Sequence, residues 1–461
     1  MNPHIFREYD IRGVVERDLS GDVPFRIGRA FAVEILRDHA EREDVTVVVG
    51  HDNRPSSPEL ATRVREGLRK SGIDVIDIGE VPTPVLYWAA THYGAAGAMQ
   101  ITGSHNPPEY NGFKMVSSQR DIFGPAIQQM RQTIERGAFR DGAAEERRER
   151  PIPAYIADVT QRFAISRPLK VVVDCGNGVG SLVATQLLGA IGAQVVPLYC
   201  ESDGTFPNHH PDPTVDDYIQ DLIATVREEH ADVGIGFDGD ADRLGVVDEH
   251  GDVVRGDLLL LLFGLDLIER KGPGQKLIFD VKCSQAVPEV FAAAGGEPIM
   301  WKTGHSLIKQ KMRETGAPIA GELSGHICFA DDYYGFDDAP YAACRLVDLL
   351  ARKGRPLSEL IGEFPRYVAT PEMRVDVTEE LKWEIVRAAV DHFRRDHEVV
   401  DIDGARVLFD GGWGLLRASN TQPVLVMRFE ARDQQTLDEI RRAFEEYLHG
   451  QGVGLTAHAG H

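Results

Sequence analysis

The chain has 461 residues, of which 43% are hydrophobic and 26% are charged, as in ordinary globular proteins. Its formal net charge of -22 argues against nucleic acid or an anionic membrane as a partner, because both are negatively charged. The five cysteines are odd in number and form no Cys-x-x-Cys pair, which argues against a disulfide framework or a zinc site and favours the reducing cytoplasm.

The first predicted elements form a β-α-β unit. The β-branched residues 45–50 predict a buried parallel strand, residues 58–70 a helix that Gly72 ends, and residues 73–78 a second strand. The same order recurs twice, with strand 169–173, helix 181–190 and strand 194–198, and then with strand 276–279, helix 286–294 and strand 298–301. Such units build parallel sheets covered by helices. After residue 366 no such unit appears; strands 374–377 and 424–430 and helices 379–394 and 436–448 predict a smaller α+β domain.

Each predicted β-α-β unit leads to a different polar loop. The loops are residues 102–107, 238–243 and 321–326. In open α/β sheets, ligands bind where the carboxyl ends of the strands meet the loops. We therefore expect three similar domains that each contribute one loop to a shared site.

The second loop, Asp238-Gly239-Asp240-Ala241-Asp242-Arg243, carries alternating carboxylates, which we expect to point the same way from an extended backbone. Like charges this close repel each other unless a cation lies between them, and a hard ion such as Mg2+ suits oxygen ligands. An EF-hand calcium loop is rejected, because its sixth position requires glycine and holds Arg243. A polar loop without a metal is the simpler alternative.

The first loop, Thr102-Gly103-Ser104-His105-Asn106-Pro107, contains a candidate nucleophile. A nucleophile elbow would need glycine at positions 102 and 106, so an acyl-transfer hydrolase is not indicated. A serine beside a Mg2+ site can instead carry a phosphoryl group, although Ser104 and Asn106 would also suit an ordinary turn. Lys114 lies just downstream and is placed to pair with a phosphate or to move a proton.

These loops, with the opening Tyr9-Asp10-Ile11-Arg12-Gly13, residues 321–326 (Gly-Glu-Leu-Ser-Gly-His) and residues 417–423 (Arg-Ala-Ser-Asn-Thr-Gln-Pro), occur in one order. In this the chain resembles the α-D-phosphohexomutases, specifically the bacterial phosphomannomutase/phosphoglucomutase group, over essentially its whole length. The resemblance implies an α/β fold of three similar domains with mixed sheets and a C-terminal α+β domain, in a heart shape with a central cleft. The expected boundaries are 1–150 (phosphoserine loop), 151–253 (metal loop), 254–366 (sugar loop) and 367–461 (phosphate loop).

The resemblance also implies residue roles. Ser104 would be the phosphoserine and would share Mg2+ with Asp238, Asp240 and Asp242. The other expected catalytic residues are Lys114, Arg243 and His305. The expected substrate-binding residues are Tyr9, Arg12, Lys282, Glu322, Ser324, His326, Arg417, Ser419, Asn420 and Thr421.

The implied reaction is reversible phosphoryl transfer between the 1- and 6-positions of mannose or glucose phosphates. It would run through a phosphoserine and a hexose 1,6-bisphosphate, with glucose or mannose 1,6-bisphosphate as activator, in a cytoplasmic monomer or homodimer. Phosphoglucosamine mutase is the nearest alternative; Leu323, where those enzymes tend to have Gln, favours hexoses. A metal- or sugar-phosphate-binding protein without activity is the alternative from another class, but a binder needs no phosphorylatable serine.

A dinucleotide-dependent oxidoreductase is a further alternative. Residues 174–180, Asp-Cys-Gly-Asn-Gly-Val-Gly, follow a predicted strand and open a helix, as a Rossmann fingerprint does. The third glycine, however, comes one position too early for that motif. These glycines are better explained by close packing of the helix on the strand.

Overall fold

The computed structural model describes residues 1–42, 44–420, 422–454 and 458–459. The chain forms two compact units. The first unit consists of residues 1–256 and 324–361, and the second of residues 257–323 together with the chain from residue 362 onward. The four expected domain boundaries stay a prediction.

A mixed sheet organises residues 1–150. Its strands are β1 (Ile11–Val14), β2 (Thr46–His51), β3 (Asp74–Glu80), β4 (Gly97–Ile101), β5 (Tyr110–Ser117) and β6 (Glu146–Arg148). The helices are α1 (Val15–Asp18), α2 (Val23–Asp38), α3 (Ser57–Lys70), α4 (Thr83–His92) and α5 (Pro125–Arg136). The strand order is β1-β5-β4-β2-β3-β6. The strands β4, β2, β3 and β6 run parallel to one another, while β5 is antiparallel to both of its neighbours, β1 and β4. The first predicted β-α-β unit is thus confirmed as β2, α3 and β3.

A second mixed sheet follows in the same unit. It contains β7 (Lys170–Asp174), β8 (Gln194–Leu198), β9 (Val233–Phe237), β10 (Leu244–Asp248) and β11 (Val253–Val254), in the order β11-β10-β9-β7-β8. Its helices are α6 (Ile152–Thr160), α7 (Ala184–Ala190) and α8 (Gln220–Glu229). The predicted helix 181–190 was wrong in its first turn. A 3-10 turn ends at Leu182, and Val183, with φ -132°, leaves the helical conformation before α7 begins.

The next elements are the strands β12 (Lys276–Asp280), β13 (Glu297–Trp301), β14 (Ile319–Gly321) and β15 (Ile327–Phe329). The helices are α9 (Gly256–Lys271), α10 (Ala286–Ala293), α11 (His305–Thr315), α12 (Ala339–Lys353) and α13 (Leu357–Gly362). β12 lies between β13 and β14 and is parallel to both, which confirms the third β-α-β unit.

The C-terminal part is α+β, as predicted. Its strands are β16 (Val368–Ala369), β17 (Met373–Asp376), β18 (Glu398–Val400), β19 (Ala405–Phe409), β20 (Gly412–Ala418), β21 (Val424–Ala431) and β22 (His458–Ala459). They form an antiparallel sheet in the order β18-β19-β20-β21-β17-β22, with β16 also paired to β21. The helices α14 (Glu379–Phe393) and α15 (Gln434–Gly450) pack on it. No helix among the described residues is long and apolar enough to cross a membrane.

The helices α2 and α3 pack at very short range. A Cβ on Gly28 would lie 2.4 Å from the carbonyl oxygen of Val64, and one on Gly67 would lie 2.2 Å from the carbonyl oxygen of Phe25. Both obstacles are backbone atoms, so a side chain fits only if the helices separate.

We expect Gly67→Ala to lower the free energy of unfolding by about 1–3 kcal/mol, the usual cost of an overpacked contact. The midpoint of urea denaturation would measure the loss. Gly189→Ala on α7 is the control, because no atom lies within 4 Å of its added Cβ and alanine favours a helix. Equal midpoints for the two variants would contradict the prediction.

Candidate active site

The predicted acidic loop is a buried turn after β9. Asp238, Asp240 and Asp242 are fully buried, and a ligand oxygen of each lies within 4.8 Å of the others. The expectation of an extended backbone was wrong, because Ala241 has φ +61° and its N–H bonds back to the carbonyl oxygen of Asp238 at 3.0 Å. The Asp238 carboxylate also accepts the N–H groups of Asp242 and Arg243, at 3.0 and 3.1 Å. The carboxylates therefore converge through the turn.

Ser104 lies directly against this turn. Its hydroxyl donates to Oδ2 of Asp238 at 2.8 Å, and the side chain is 2% exposed. Its backbone has φ +49°, a left-handed conformation that costs free energy for a residue other than glycine. A Cβ on Gly239 would lie 2.4 Å from the carbonyl oxygen of Ser104, so glycine is needed for the two loops to approach.

Lys114 supplies a positive charge from β5. Its Nζ donates to Asp240 at 2.7 Å and also to Asp242, and Thr83 donates its hydroxyl to Asp240 at 2.5 Å. Burial opposes the charge of Lys114, but the two carboxylates outweigh it and raise its pKa. Burial likewise opposes ionisation of Asp240, and Lys114 more than compensates, so the pKa of Asp240 is lowered.

Asp238 has the opposite balance. Burial, and then the charges of Asp242 and Asp240, raise the pKa of Asp238 well above its usual value. A cation among these oxygens would offset the repulsion between the carboxylates and favour the ionised form of Asp238. Among the described residues, Oδ1 of Asp240 has no hydrogen-bond partner, which leaves it available as a ligand. The carboxylate oxygens therefore fit a hard divalent ion such as Mg2+.

Arg243 and His326 meet at the edge of the acidic turn. Nε of Arg243 donates to Nε2 of His326 at 3.1 Å, so Nδ1 is the ring nitrogen that carries hydrogen in the neutral tautomer. Nδ1 lies 3.1 Å from Asp337 and 3.6 Å from Asp242. The structure thus places His326 of the predicted sugar loop beside the predicted metal loop. Ser324, from the same loop, is half-buried.

The N-terminal motif also reaches the serine loop. Arg12 on β1 donates to Asp10 at 2.5 Å and to the side-chain oxygen of Asn106 at 2.6 Å. Tyr9 is half-buried next to Asp10. Arg12 therefore contacts the loop two residues after Ser104. The sequence had not indicated Asp10 and Asn106 as its partners.

The other predicted substrate residues lie in the second unit. Glu322 is 2% exposed and accepts the N–H of Gly304 at 2.6 Å, which places it at the start of α11, where His305 is the first residue. Lys282 is buried and lies 3.4 Å from Glu372. Burial opposes ionisation of Glu372, but Lys282 and then Arg374 lower its pKa to about 2.

Arg417, the penultimate residue of β20, is a buried cation beside Asp403. Nη2 and Nε of Arg417 lie 3.0 and 3.1 Å from the same carboxylate oxygen, which also accepts the N–H of Thr303 at 3.1 Å. Lys382 donates to the carbonyl oxygen of Ser419 at 2.6 Å and so ties down the loop. Asn420 is half-buried. Thr421, also predicted here, lies outside the described residues.

Sequence reasoning missed the partners of these side chains. They are Asp52 and Arg54, which bind the main chain at Gly103 and Ser104, and Thr83, Asp337, Glu372 and Asp403. A signal existed for the first two, because charged residues follow directly on the apolar strand β2, where ligand loops of such sheets begin. The others carry no local pattern, since each meets a partner 11 or more residues away in the sequence.

Comparisons with known proteins identify the family of the chain. Family models for phosphoglucomutase/phosphomannomutase match in chain order: α/β/α domain I at residues 3–143, domain II at 153–251, domain III at 255–367 and the C-terminal domain at 372–446. A phosphomannomutase/phosphoglucomutase of Pseudomonas aeruginosa is 45% identical over 449 residues, covering 96% of this chain and 95% of that protein. A phosphoglucomutase of Neisseria gonorrhoeae is 42% identical over 451 residues, with 96% of each covered.

A solved structure of the same family has the same fold. The crystal structure of a phosphoglucomutase/phosphomannomutase family protein from Burkholderia thailandensis superposes with a TM-score of 0.91 at 43% identity, covering 99% of each chain. With family models matched from residue 3 to residue 446 and relatives above 40% identity over nearly all of its length, the chain belongs to the phosphoglucomutase/phosphomannomutase family.

Proposed function

We propose that this enzyme interconverts hexose 1-phosphates and hexose 6-phosphates by way of a phosphorylated Ser104. Its relatives are named for mannose and glucose phosphates, and one or both are the proposed substrates. The observation that carries the proposal is the 2.8 Å contact between the Ser104 hydroxyl and Asp238, inside a buried cluster of three carboxylates. A serine so close to a cation site is suited to phosphoryl transfer rather than to acyl transfer.

The proposed cofactor is Mg2+ held by Asp238, Asp240 and Asp242, with an oxygen of Ser104 or its phosphate. When bound, the ion would neutralise charge that develops on the transferred phosphoryl group. Lys114 and Arg243 bring further positive charge to the same place and would hold phosphoryl oxygens. His326 would orient Arg243 through their 3.1 Å hydrogen bond and offer a contact to the sugar.

The proposed reaction has two transfers. Phospho-Ser104 passes its phosphoryl group to the free hydroxyl of the hexose phosphate, which gives a 1,6-bisphosphate. This intermediate must turn around before its other phosphate returns to Ser104. Glucose 1,6-bisphosphate or mannose 1,6-bisphosphate, the proposed activator, would restore the phosphoserine whenever an intermediate is lost.

The proposed roles in the second unit follow from its buried cations. Arg417, with Ser419, Asn420 and Thr421, would hold the phosphate that is not being transferred. Glu322 and Ser324 would accept and donate hydrogen bonds to sugar hydroxyls. Lys282, Tyr9 and Arg12 are proposed as further substrate contacts, and His305 as a proton carrier.

We place the enzyme in the cytoplasm, as a monomer or homodimer acting on small molecules. The five free cysteines support the location, because unpaired thiols persist in a reducing compartment.

The proposal is tested by a coupled assay of glucose 1-phosphate, mannose 1-phosphate and glucosamine 1-phosphate side by side. Each reaction contains Mg2+ and glucose 1,6-bisphosphate. We expect turnover of one or both hexose phosphates to exceed that of glucosamine 1-phosphate. The reverse order would identify a phosphoglucosamine mutase, and no turnover of any of them would reject a mutase in favour of a binding protein.

Arg417→Ala tests the proposed phosphate contact. A charge-assisted bond to phosphate contributes about 2–3 kcal/mol, so we expect KM to rise about 30- to 150-fold in both directions of the reaction. KM should change more than kcat, because the phosphate is held in the ground and transition states alike. More bisphosphate should also escape per product formed, which quenched-flow and chromatography would measure.

Arg394→Ala is the control, because that arginine is exposed and pairs only with Asp401 among the contacts seen. If Arg417→Ala kept the wild-type KM and released no extra bisphosphate, another group would have to hold the distal phosphate.

A further inference from the structure

Arg54 is a completely buried arginine between the two sheets' loops, and nothing above gives it a function. Its guanidinium donates to the main chain of the serine loop rather than to a side chain of the site. The acceptors are the carbonyl oxygens of Ser104 (2.7 Å), Asn106 (2.6 Å), Pro107 (2.6 Å) and Tyr110 (3.0 Å). One rigid side chain thus fixes the backbone from the carbonyl of the proposed nucleophile onward to the start of β5.

Asp52 holds Arg54 from the opposite direction. Its carboxylate accepts from Nε and from the backbone N–H of Arg54, both at 3.1 Å. It also accepts the N–H of Gly103 at 3.0 Å. A buried ion pair costs desolvation free energy unless further hydrogen bonds surround it, and here the serine loop supplies those bonds. The pair and the loop therefore depend on each other.

The packing around the guanidinium is as tight as its hydrogen bonding. A Cβ on Gly103 would lie 2.4 Å from both Cζ and Nε of Arg54. The ring of Phe206 covers the guanidinium at 5.2 Å. A Cβ on Gly204 would lie 2.1 Å from the carbonyl oxygen of Asn53. Arg54 is thus enclosed by the serine loop and by a segment of the second sheet's domain.

The conformation of Ser104 shows what this enclosure does. A serine at φ +49° persists only where its surroundings determine it. Arg54 binds the carbonyl oxygen of Ser104 itself, while Thr102 accepts the N–H of Ser104 at 2.8 Å. With both ends of the residue bound, the hydroxyl points at Asp238.

We propose that the Asp52–Arg54 pair is a positioning device that holds Ser104 in its left-handed conformation, so that Oγ faces the aspartates during phosphoryl transfer. This inference rests on the proposed function of Ser104. Apart from Asp52 and the ring of Phe206, Arg54 contacts main-chain atoms of the Ser104 loop and acts through the serine, so it is a positioning residue. A purely structural role would lower stability but leave the rate of each folded molecule unchanged.

The test uses the full-length Arg54→Lys variant. Lysine keeps the charge, but its single ammonium has too few donors to bind the four carbonyl groups and Asp52 at once. We expect the single-turnover rate of Ser104 phosphorylation by glucose 1,6-bisphosphate to fall about 100-fold, as for a small misplacement of a reacting group, with KM for the hexose phosphate unchanged. Hydrogen exchange of residues 102–110 should become faster. Arg63→Lys, at a partly exposed arginine of α3, should change neither quantity.

Gly103→Ala is the second variant, and it decides the case if Arg54→Lys fails to fold. It keeps both residues of the pair, but the added Cβ would displace the guanidinium from its present position, so the same fall in rate with unchanged KM is expected. Wild-type phosphorylation rates and wild-type exchange in the folded variants would overturn the inference. A wild-type enzyme that cannot be phosphorylated would instead refute the proposed function, and faster exchange of residues 102–110 in the variants would still decide whether the pair positions the loop.

Discussion

Ser104→Ala should lower kcat by on the order of 10³-fold or more, because the covalent route through the enzyme is lost with the hydroxyl. Binding of hexose phosphate should persist, since the other proposed contacts remain. Alanine removes one hydrogen bond to Asp238 and adds no atoms, so the fold should be preserved. Steady-state kinetics, circular dichroism and calorimetric binding of glucose 1-phosphate would measure the three properties.

The covalent state itself can be observed in the same experiment. Intact-mass spectrometry of the wild-type enzyme treated with glucose 1,6-bisphosphate should show one phosphoryl adduct, and peptide mapping should place it on Ser104. Ser118→Ala, at an exposed serine after β5, should keep both adduct and activity. A wild-type enzyme that turns over its substrate but never carries the adduct would require direct transfer between sugars.

The second large effect is expected for Asp240→Asn. The amide keeps the shape and can still accept the hydroxyl of Thr83, but it removes one negative charge from the cluster. Mg2+ should bind more weakly, and kcat at limiting Mg2+ should fall about 10²-fold, because charge on the transferred phosphoryl group is less well neutralised. KM should change little.

Titration of activity against Mg2+, together with calorimetric Mg2+ binding, would measure these changes. Asp216→Asn is the control, because Asp216 is exposed and pairs with Arg255 on the surface. An Asp240→Asn enzyme with the wild-type kcat and Mg2+ dependence would show that the three aspartates are not the metal site.

The elements were predictable where the sequence acts locally. β-branched runs and glycine stops indicated the β-α-β units to within a few residues. The break at Val183 was missed because one residue's backbone angle depends on the packing of its neighbours. The three carboxylates of the acidic loop were predicted to lie together, but on an extended backbone rather than in a turn. The alternating spacing alone does not reveal the positive φ of Ala241.

The site residues themselves came from ordered motifs, but their partners did not. Asp403 lies 14 residues from Arg417, and Asp337 lies 11 residues from His326, in each case across intervening strands or turns. Arg54 meets the serine loop some 50 residues later in the chain. Such pairs are set by tertiary packing, and a single sequence carries no periodicity that would reveal them.

The ammonium of Lys114 also determines which ion valence suits the cluster. With all three carboxylates ionised, one ammonium leaves two negative charges in a volume closed to solvent. Within this set a divalent cation would offset both charges, whereas a monovalent ion would leave one to be offset by Arg243 at the edge of the turn. A residue that cannot itself bind a cation would thus take part in selecting one, by setting the local charge balance from β5 of the first sheet.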